Sequence, residues 1–163
     1  MHDPTEITGE PAAQSLARVI QLGFGGDDAR FAQFVQTIQE VTPPDAYVLL
    51  RGSAVAGTRW ADGAPFDADG PGTSDLDLTF VGKSMLDTFN DFYIPGLHSA
   101  PLCDERPDAS PTLAPVRRTL SSIAGRPVNI QATSDLVQYV RDVTMQQPYV
   151  VLIERQDEAE DAA

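Results

Sequence analysis

The sequence predicts an α/β (α+β) fold in which helices pack on a small mixed β-sheet, and three patterns predict it. Apolar residues recur at helical spacing through the first forty residues. Two apolar runs of strand length come next, separated by a stretch rich in Gly, Pro and Asp. The remainder alternates helix-like and strand-like segments as far as "PYVVLIER".

Each element has its own signature. "AAQSLARVIQLGF" carries Leu16, Val19, Ile20 and Phe24 at helical spacing, and "GFGGDD" interrupts it, leaving Asp27 or Asp28 to cap a second helix. That helix, "ARFAQFVQTIQEV", puts Phe31, Phe34, Val35, Ile38 and Val41 on one side, and "TPPD" stops it. "AYVLLRG" is continuously apolar, as a buried strand is, and "SAVAG" can start a short helix. Residues 58–73 read as loop. "SDLDLTFVG" alternates, with Asp75 and Asp77 on one face and Leu76 and Leu78 on the other. "KSMLDTFNDF" reads as helix, and "IPGLHSAPLCDERPDASP" as a long Pro-rich loop of the kind that often serves function. "TLAPVRRTLSSIAG" is a helix ending at Gly125, "RPVNIQAT" a strand, "SDLVQYVRDV" a helix with a serine or aspartate cap, and "PYVVLIER" a last strand. No internal repeat is present. Residues 1–155 are expected to form one domain and residues 156–163 an acidic, disordered tail.

Composition narrows the function. The 163 residues carry a net charge of −13, a surface that repels phosphate backbones and argues against a large nucleic-acid partner. It also repels free nucleotides unless a metal supplies positive charge. No apolar run approaches the roughly 20 residues that span a bilayer, so no membrane partner is expected. "MHDPTEITGEPAAQ" lacks a basic, apolar leader pattern, and a single cysteine, Cys103, fits a reducing compartment; the expectation is a cytoplasmic protein.

The chemistry concentrates at two places. Gly52 and Ser53 leave the first strand and open a short helix: a glycine lets backbone approach a phosphate, and a hydroxyl with helix-opening amides can bind one. Asp75 and Asp77 project from one strand face about 6.5–7 Å apart along the strand. Two neighbouring carboxylates repel and are costly to desolvate unless a cation joins them. Magnesium takes hard oxygens, commonly one or two carboxylates with phosphate oxygens. Alone, a Gly-Ser is an ordinary turn and an Asp-x-Asp an ordinary solvated face. Together, in this order and on these strands, they describe a phosphate site beside the metal that phosphate needs.

"RGSAVAGTRW…GTSDLDLTFVG" resembles the signature of the DNA polymerase β-like nucleotidyltransferase superfamily, and the resemblance spans roughly residues 30–155. It implies a nucleotidyltransferase-like fold. It implies too that Gly52 and Ser53 hold a nucleoside triphosphate, and that Asp75 and Asp77 are catalytic and hold Mg2+. The activity implied is transfer of a nucleoside monophosphate, from ATP in the first instance, to a hydroxyl of a protein or small molecule. Small stand-alone members often act as antitoxins that modify a partner toxin.

Two features depart from the pattern. The segment between Ser53 and Asp75 is longer than usual, and its "DADG" invites a calcium loop that Pro71 and Leu78 break. The third carboxylate usual on a later strand is missing; the corresponding strand, "RPVNIQA", offers Asn129 and Gln131 to the pocket face. A catalytically degenerate nucleotide-binding or protein-interaction module is therefore the competing expectation.

Other residues are candidates by position alone. Arg59 and Lys83 lie just beyond the two motif halves and can contact phosphates or be ordinary exposed bases. His98 can act on an acceptor hydroxyl or be an ordinary loop histidine, and Asp104 or Glu105 can supply a base. Trp60 can stack on a nucleobase, although packing is the first expectation. Arg117 and Arg118 read as surface, and "GFGG" as a turn.

Overall fold

The computed structural model describes residues 12–155. The first eleven residues and the acidic tail at 156–163, with the expectations attached to them, lie outside the described residues.

Six helices and six strands are present among them: α1 (Ala12–Phe24), α2 (Asp28–Val41), β1 (Tyr47–Arg51), α3 (Ser53–Ala56), β2 (Leu76–Val81), α4 (Lys83–Leu86), β3 (Phe92–Ile94), β4 (His98–Ser99), α5 (Ala114–Ala124), β5 (Val128–Thr133), α6 (Leu136–Asp142) and β6 (Tyr149–Ile153). The strands form one mixed sheet in the order β3-β4-β5-β2-β1-β6. β1 runs antiparallel to β2 and β6, whereas β2 and β5 run parallel. This is the expected α/β architecture with helices packed on the sheet. None of the described helices is long and apolar enough to cross a membrane.

Strand alternation divides the sheet into two unlike faces. Val48, Leu50, Leu76, Leu78, Phe80, Val128, Ile130 and Ala132 enter the core, where they meet Val19, Phe24, Phe34, Ile38, Leu120 and Ala124 from α1, α2 and α5. Phe24 packs edge-to-face on Phe31 and Phe34, with ring centroids 5.3 and 5.0 Å apart. Removing a large side chain here, such as the fully buried Phe34, costs about 3–5 kcal/mol. The opposite face carries Leu49, Arg51, Asp77, Thr79, Asn129 and Gln131, and α6 covers part of it through Tyr139.

Caps set the helix ends. Of the two candidates before α2, Asp27 is the cap: its carboxylate accepts from the Arg30 amide at 3.0 Å. Asp135, not Ser134, caps α6 through the Gln138 amide at 3.1 Å. Such caps are each worth about 1 kcal/mol. Gly125 ends α5 in the left-handed conformation, φ 68°.

Four expectations need correction. The helix expected over residues 83–92 stops at Leu86, and Phe92–Ile94 forms edge strand β3. The long loop contains β4, so His98 is a buried strand residue; its Nδ1 lies 2.6 Å from Thr133 Oγ1. Arg117 is buried, 8% exposed, donating from Nε to the Val128 carbonyl at 2.7 Å and from Nη2 to Asp104. That pair ties Asp104 to α5. Trp60 is 65% exposed, so packing is not its role.

Candidate functional site

The site lies where β1 ends and β2 begins. In the sheet register Arg51 stands opposite Asp77, and Asp77 opposite Asn129, so one residue from each of three adjacent strands forms a row across the polar face. Asn129 Nδ2 donates to Asp75 Oδ2 at 2.6 Å and to Asp77 Oδ1 at 3.1 Å. Those two oxygens thus lie no farther apart than the sum of the two distances. Two acceptor-only carboxylates fix the amide with its NH2 toward them.

The second oxygen of Asp77 explains Gly52. Gly52 has φ 95° and ψ −161°, and a Cβ placed on it would lie 2.6 Å from Asp77 Oδ2. Any side chain there would collide with the carboxylate. The Gly-Ser exit of β1 and the Asp-x-Asp of β2, more than twenty residues apart in the chain, thus meet in space. Ser53 is the first residue of α3, whose C-terminus turns back at Gly57, φ 86°.

Electrostatics are those of a crowded acid pair. Burial pushes the Asp77 carboxyl above its ordinary range and Asp75 adds to the rise; Arg51 and the Asn129 hydrogen bond oppose it. Arg51 stays cationic: burial disfavours its charge, but the Tyr139 hydroxyl and the carboxylates of Asp77 and Asp75 outweigh that cost. Its guanidinium crosses β2 instead of pairing with Asp77. Nε donates to Tyr139 Oη at 2.8 Å, and Nη2 to Gln131 Oε1 at 2.5 Å. Tyr139 Oη also lies 3.0 Å from Thr79 Oγ1 and donates to Gln131 Oε1 at 3.0 Å, while Gln131 Nε2 donates to the Ser99 carbonyl at 3.0 Å.

A cleft of about 270 Å3 opens beside Asp77, lined by Arg51, Asn129, Gln131, Tyr93, Pro101 and Val143 among others. No protein-family model matches this chain, and neither a curated protein nor a solved structure matches it. The chemistry of the site therefore rests on its own geometry.

The remaining candidates lie elsewhere or are already engaged. Lys83 stands past the far end of β2, six residues beyond Asp77 and about 20 Å away at strand rise, and pairs with Asp87 at 2.9 Å. Arg59 is bound within its own loop, to Asp62 at 2.9 Å and Asp69 at 2.7 Å. Lys83 is thus not brought to the carboxylate pair, and Arg59 is engaged by the acids of its own loop. Burial lowers the His98 imidazole pKa. The Cys103 thiol is buried and its pKa raised chiefly by that burial, which makes it a poor nucleophile.

The loop over residues 58–73 is held by a separate clasp. Asp67, at φ 60°, accepts from the amides of Ser74 at 2.9 Å and Gly72 at 3.3 Å and pairs with Arg126. Arg126 also donates to the carbonyls of Ser74 at 2.9 Å and Gly23 at 3.2 Å, and its guanidinium stacks 4.6 Å from the Phe66 ring centroid. The calcium-like "DADG" is thus an arginine clasp that fixes the chain just before Asp75.

Sequence reasoning missed Arg51, Tyr139 and Tyr93. Arg51 had a signal: a charged residue ends an otherwise apolar strand directly before Gly52. The other two had none of that clarity, because Tyr139 reads as a routine helix residue and Tyr93 sat within an expected helix-to-loop junction.

Among the described residues no three His, Cys, Asp or Glu side chains gather as a metal site. Asp75 and Asp77 nevertheless suit a hard divalent cation whose other ligands are phosphate oxygens and water. Asn129 can join by turning its carbonyl oxygen inward.

Proposed function

We propose that this chain is a magnesium-dependent nucleotidyltransferase of the DNA polymerase β-like kind. It moves a nucleoside monophosphate from a triphosphate, ATP in the first instance, to a hydroxyl. The observation that supports this reading is the meeting of Asp77 with Gly52, where the carboxylate occupies the space a Cβ would fill. That meeting sets the acid pair beside the Gly-Ser turn.

Gly52 and Ser53 bind the nucleotide phosphates, and Asp75 and Asp77 hold the cation. Magnesium, when bound, neutralises charge on the phosphates. The acceptor oxygen bonds to the α-phosphorus as the bond from that phosphorus to the bridging oxygen breaks. Pyrophosphate leaves with the electron pair, and the hydroxyl proton passes to water. The protein contributes position and charge rather than covalent chemistry.

Asn129 favours a second reading. An amide brings no negative charge and takes no proton, so a nucleotide-binding or protein-interaction module of antitoxin-like type, with little or no turnover, also fits the site. Incubating the full-length protein with α-labelled ATP, magnesium and cell lysate separates the two. Label on a protein or small molecule, lost in Asp75→Asn and Asp77→Asn, is the expected result. Magnesium-dependent ATP binding without pyrophosphate release selects the second reading, and absence of nucleotide binding overturns both.

A further inference from the structure

Arg51, Asp77, Asn129, Gln131 and Tyr93 line the cleft, and Gly52 and Ser53 do not, so it adjoins the Gly-Ser turn without including it. If nucleotide phosphates lie at the Gly-Ser turn, this cleft is where an acceptor enters, and its chemistry is legible. Arg51 is the single cation among its lining residues. Two of its nitrogens are committed, Nε to Tyr139 and Nη2 to Gln131, while Nη1 has no protein partner among the described residues. Tyr139 is fully buried and Gln131 nearly so, which leaves the guanidinium little freedom to swing away. Tyr93, 56% exposed, supplies an aromatic wall from the sheet edge, and Val143 an apolar one.

A guanidinium fixed on one edge with N–H groups left over matches an oxyanion, which it binds by charge-assisted hydrogen bonds. The cleft volume suits a small molecule better than a folded surface. Building on the transferase reading, we infer that the cleft takes a small hydroxyl-bearing acceptor with a phosphate or carboxylate group. Its oxyanion rests on Arg51 while its hydroxyl reaches the Asp75–Asp77 pair. Tyr139 and Gln131 are positioning residues, acting through Arg51.

Sulfate serves as the probe. It is titrated into the full-length protein with magnesium present, against sodium chloride at matched ionic strength, and read by thermal stabilisation and by the Arg51 Nε–H resonance. The wild type should bind sulfate, and Arg51→Gln should bind it about tenfold or more weakly, as loss of a charge-assisted pair requires. Tyr139→Phe, which keeps the ring, should weaken it several-fold, and Arg51→Lys should restore part of the loss. Magnesium-ATP should bind alongside sulfate in the wild type. Undiminished sulfate binding in Arg51→Gln, or no sulfate binding in the wild type, overturns the inference. One-for-one displacement of sulfate by magnesium-ATP assigns Arg51 to the nucleotide and overturns the acceptor pocket. Sulfate binding through Arg51 without any magnesium-ATP binding removes the nucleotidyltransferase reading and leaves the oxyanion pocket standing. If Arg51→Gln fails to fold, Tyr139→Phe decides the matter, undiminished sulfate binding in it overturning the inference.

Discussion

Arg126 grips both carboxylate oxygens of Asp67, Nη1 to Oδ1 at 2.8 Å and Nη2 to Oδ2 at 3.1 Å. Both side chains are largely shielded, 8% and 22% exposed. Although burial opposes its charge, this pair and the amides of Ser74 and Gly72 bring the Asp67 pKa down to about 2 from 3.8. A depressed carboxylate stabilises the fold above its unfolded pKa and withdraws that help as pH falls through the folded one. Asp67→Asn keeps a side chain that tolerates positive φ. It should cost ~1–2 kcal/mol at pH 7, allowing for residual solvent screening. In urea unfolding the gap between wild type and variant should narrow as pH falls from 4 to 2 and go on closing below that; a gap as wide at pH 2 as at pH 7 would mean the ion pair contributes nothing.

Asp77 should show the opposite sign. Its folded pKa is raised, chiefly by burial, so the stability it contributes is present below the unfolded value of 3.8 and lost as pH rises through the folded one. Asp77→Asn should therefore melt higher than wild type at pH 7 and no higher at pH 3. Calorimetric titration of the same variant, and of Asp75→Asn, should show magnesium-dependent ATP binding abolished. Unchanged binding in both variants would sink the metal assignment.

Gly52→Ala tests the meeting of the two motifs. The new Cβ has to displace Asp77 Oδ2, and the positive φ adds strain of about 1–3 kcal/mol. Lower stability together with lost nucleotide binding is expected. Ser53→Ala should leave the fold alone and weaken ATP binding by roughly ten- to a hundredfold, as loss of a charge-assisted hydrogen bond of about 1.5–3 kcal/mol does. AMP binding should change less; equal losses for ATP and AMP would reduce Ser53 to a helix-opening residue.

Asn129→Asp replaces the amide that now donates to both carboxylates with a third negative charge. Without metal the variant should lose about 1–3 kcal/mol at pH 7. Magnesium should restore that stability, and ATP hydrolysis or transfer should run faster than in the wild type. A variant no faster, beside a wild type turning over at about 1 per second or more, would show that the chemistry needs no third acid.

Long, periodic elements were legible in the sequence. The apolar spacing of Val19, Phe34 and Ile38 and the alternation of Leu76, Asp77 and Leu78 are set by burial on one face, which leaves a mark on every turn or every second residue. The short edge strands leave no such mark: β4 has two residues, and Phe92–Ile94 comes after Met85, Leu86 and Phe89, whose spacing imitates a helix. At the candidate site, the shared face of Asp75, Asp77 and Asn129 was readable because strand alternation sets it, whereas the reason for Gly52, its contact with Asp77, was not. Lys83 misled because nearness in sequence to a motif says nothing about which end of a strand a residue occupies, and Arg59 because its acidic partners, Asp62 and Asp69, lie in its own loop. Arg117 and Arg51 show a related limit: an arginine that is buried or half-buried is defined by distant partners, here the Val128 carbonyl and the Tyr139 hydroxyl.

β5 sits between β2 and β4, although it is made long after β2. While a ribosome builds the fifty-odd residues that separate Asp77 from Asn129, at about 5–20 residues per second, the nascent chain carries β2 with one side unpaired for several seconds. An uncovered apolar strand is an invitation to pair with another molecule, and inward-pointing charge is a common defence. Asp77 puts a carboxylate on the polar face of that open strand before any ligand is present, and such a charge is expected to disfavour pairing with another molecule. Asp77→Leu should accordingly precipitate during cell-free synthesis and recover when synthesis is supplemented with a holdase chaperone.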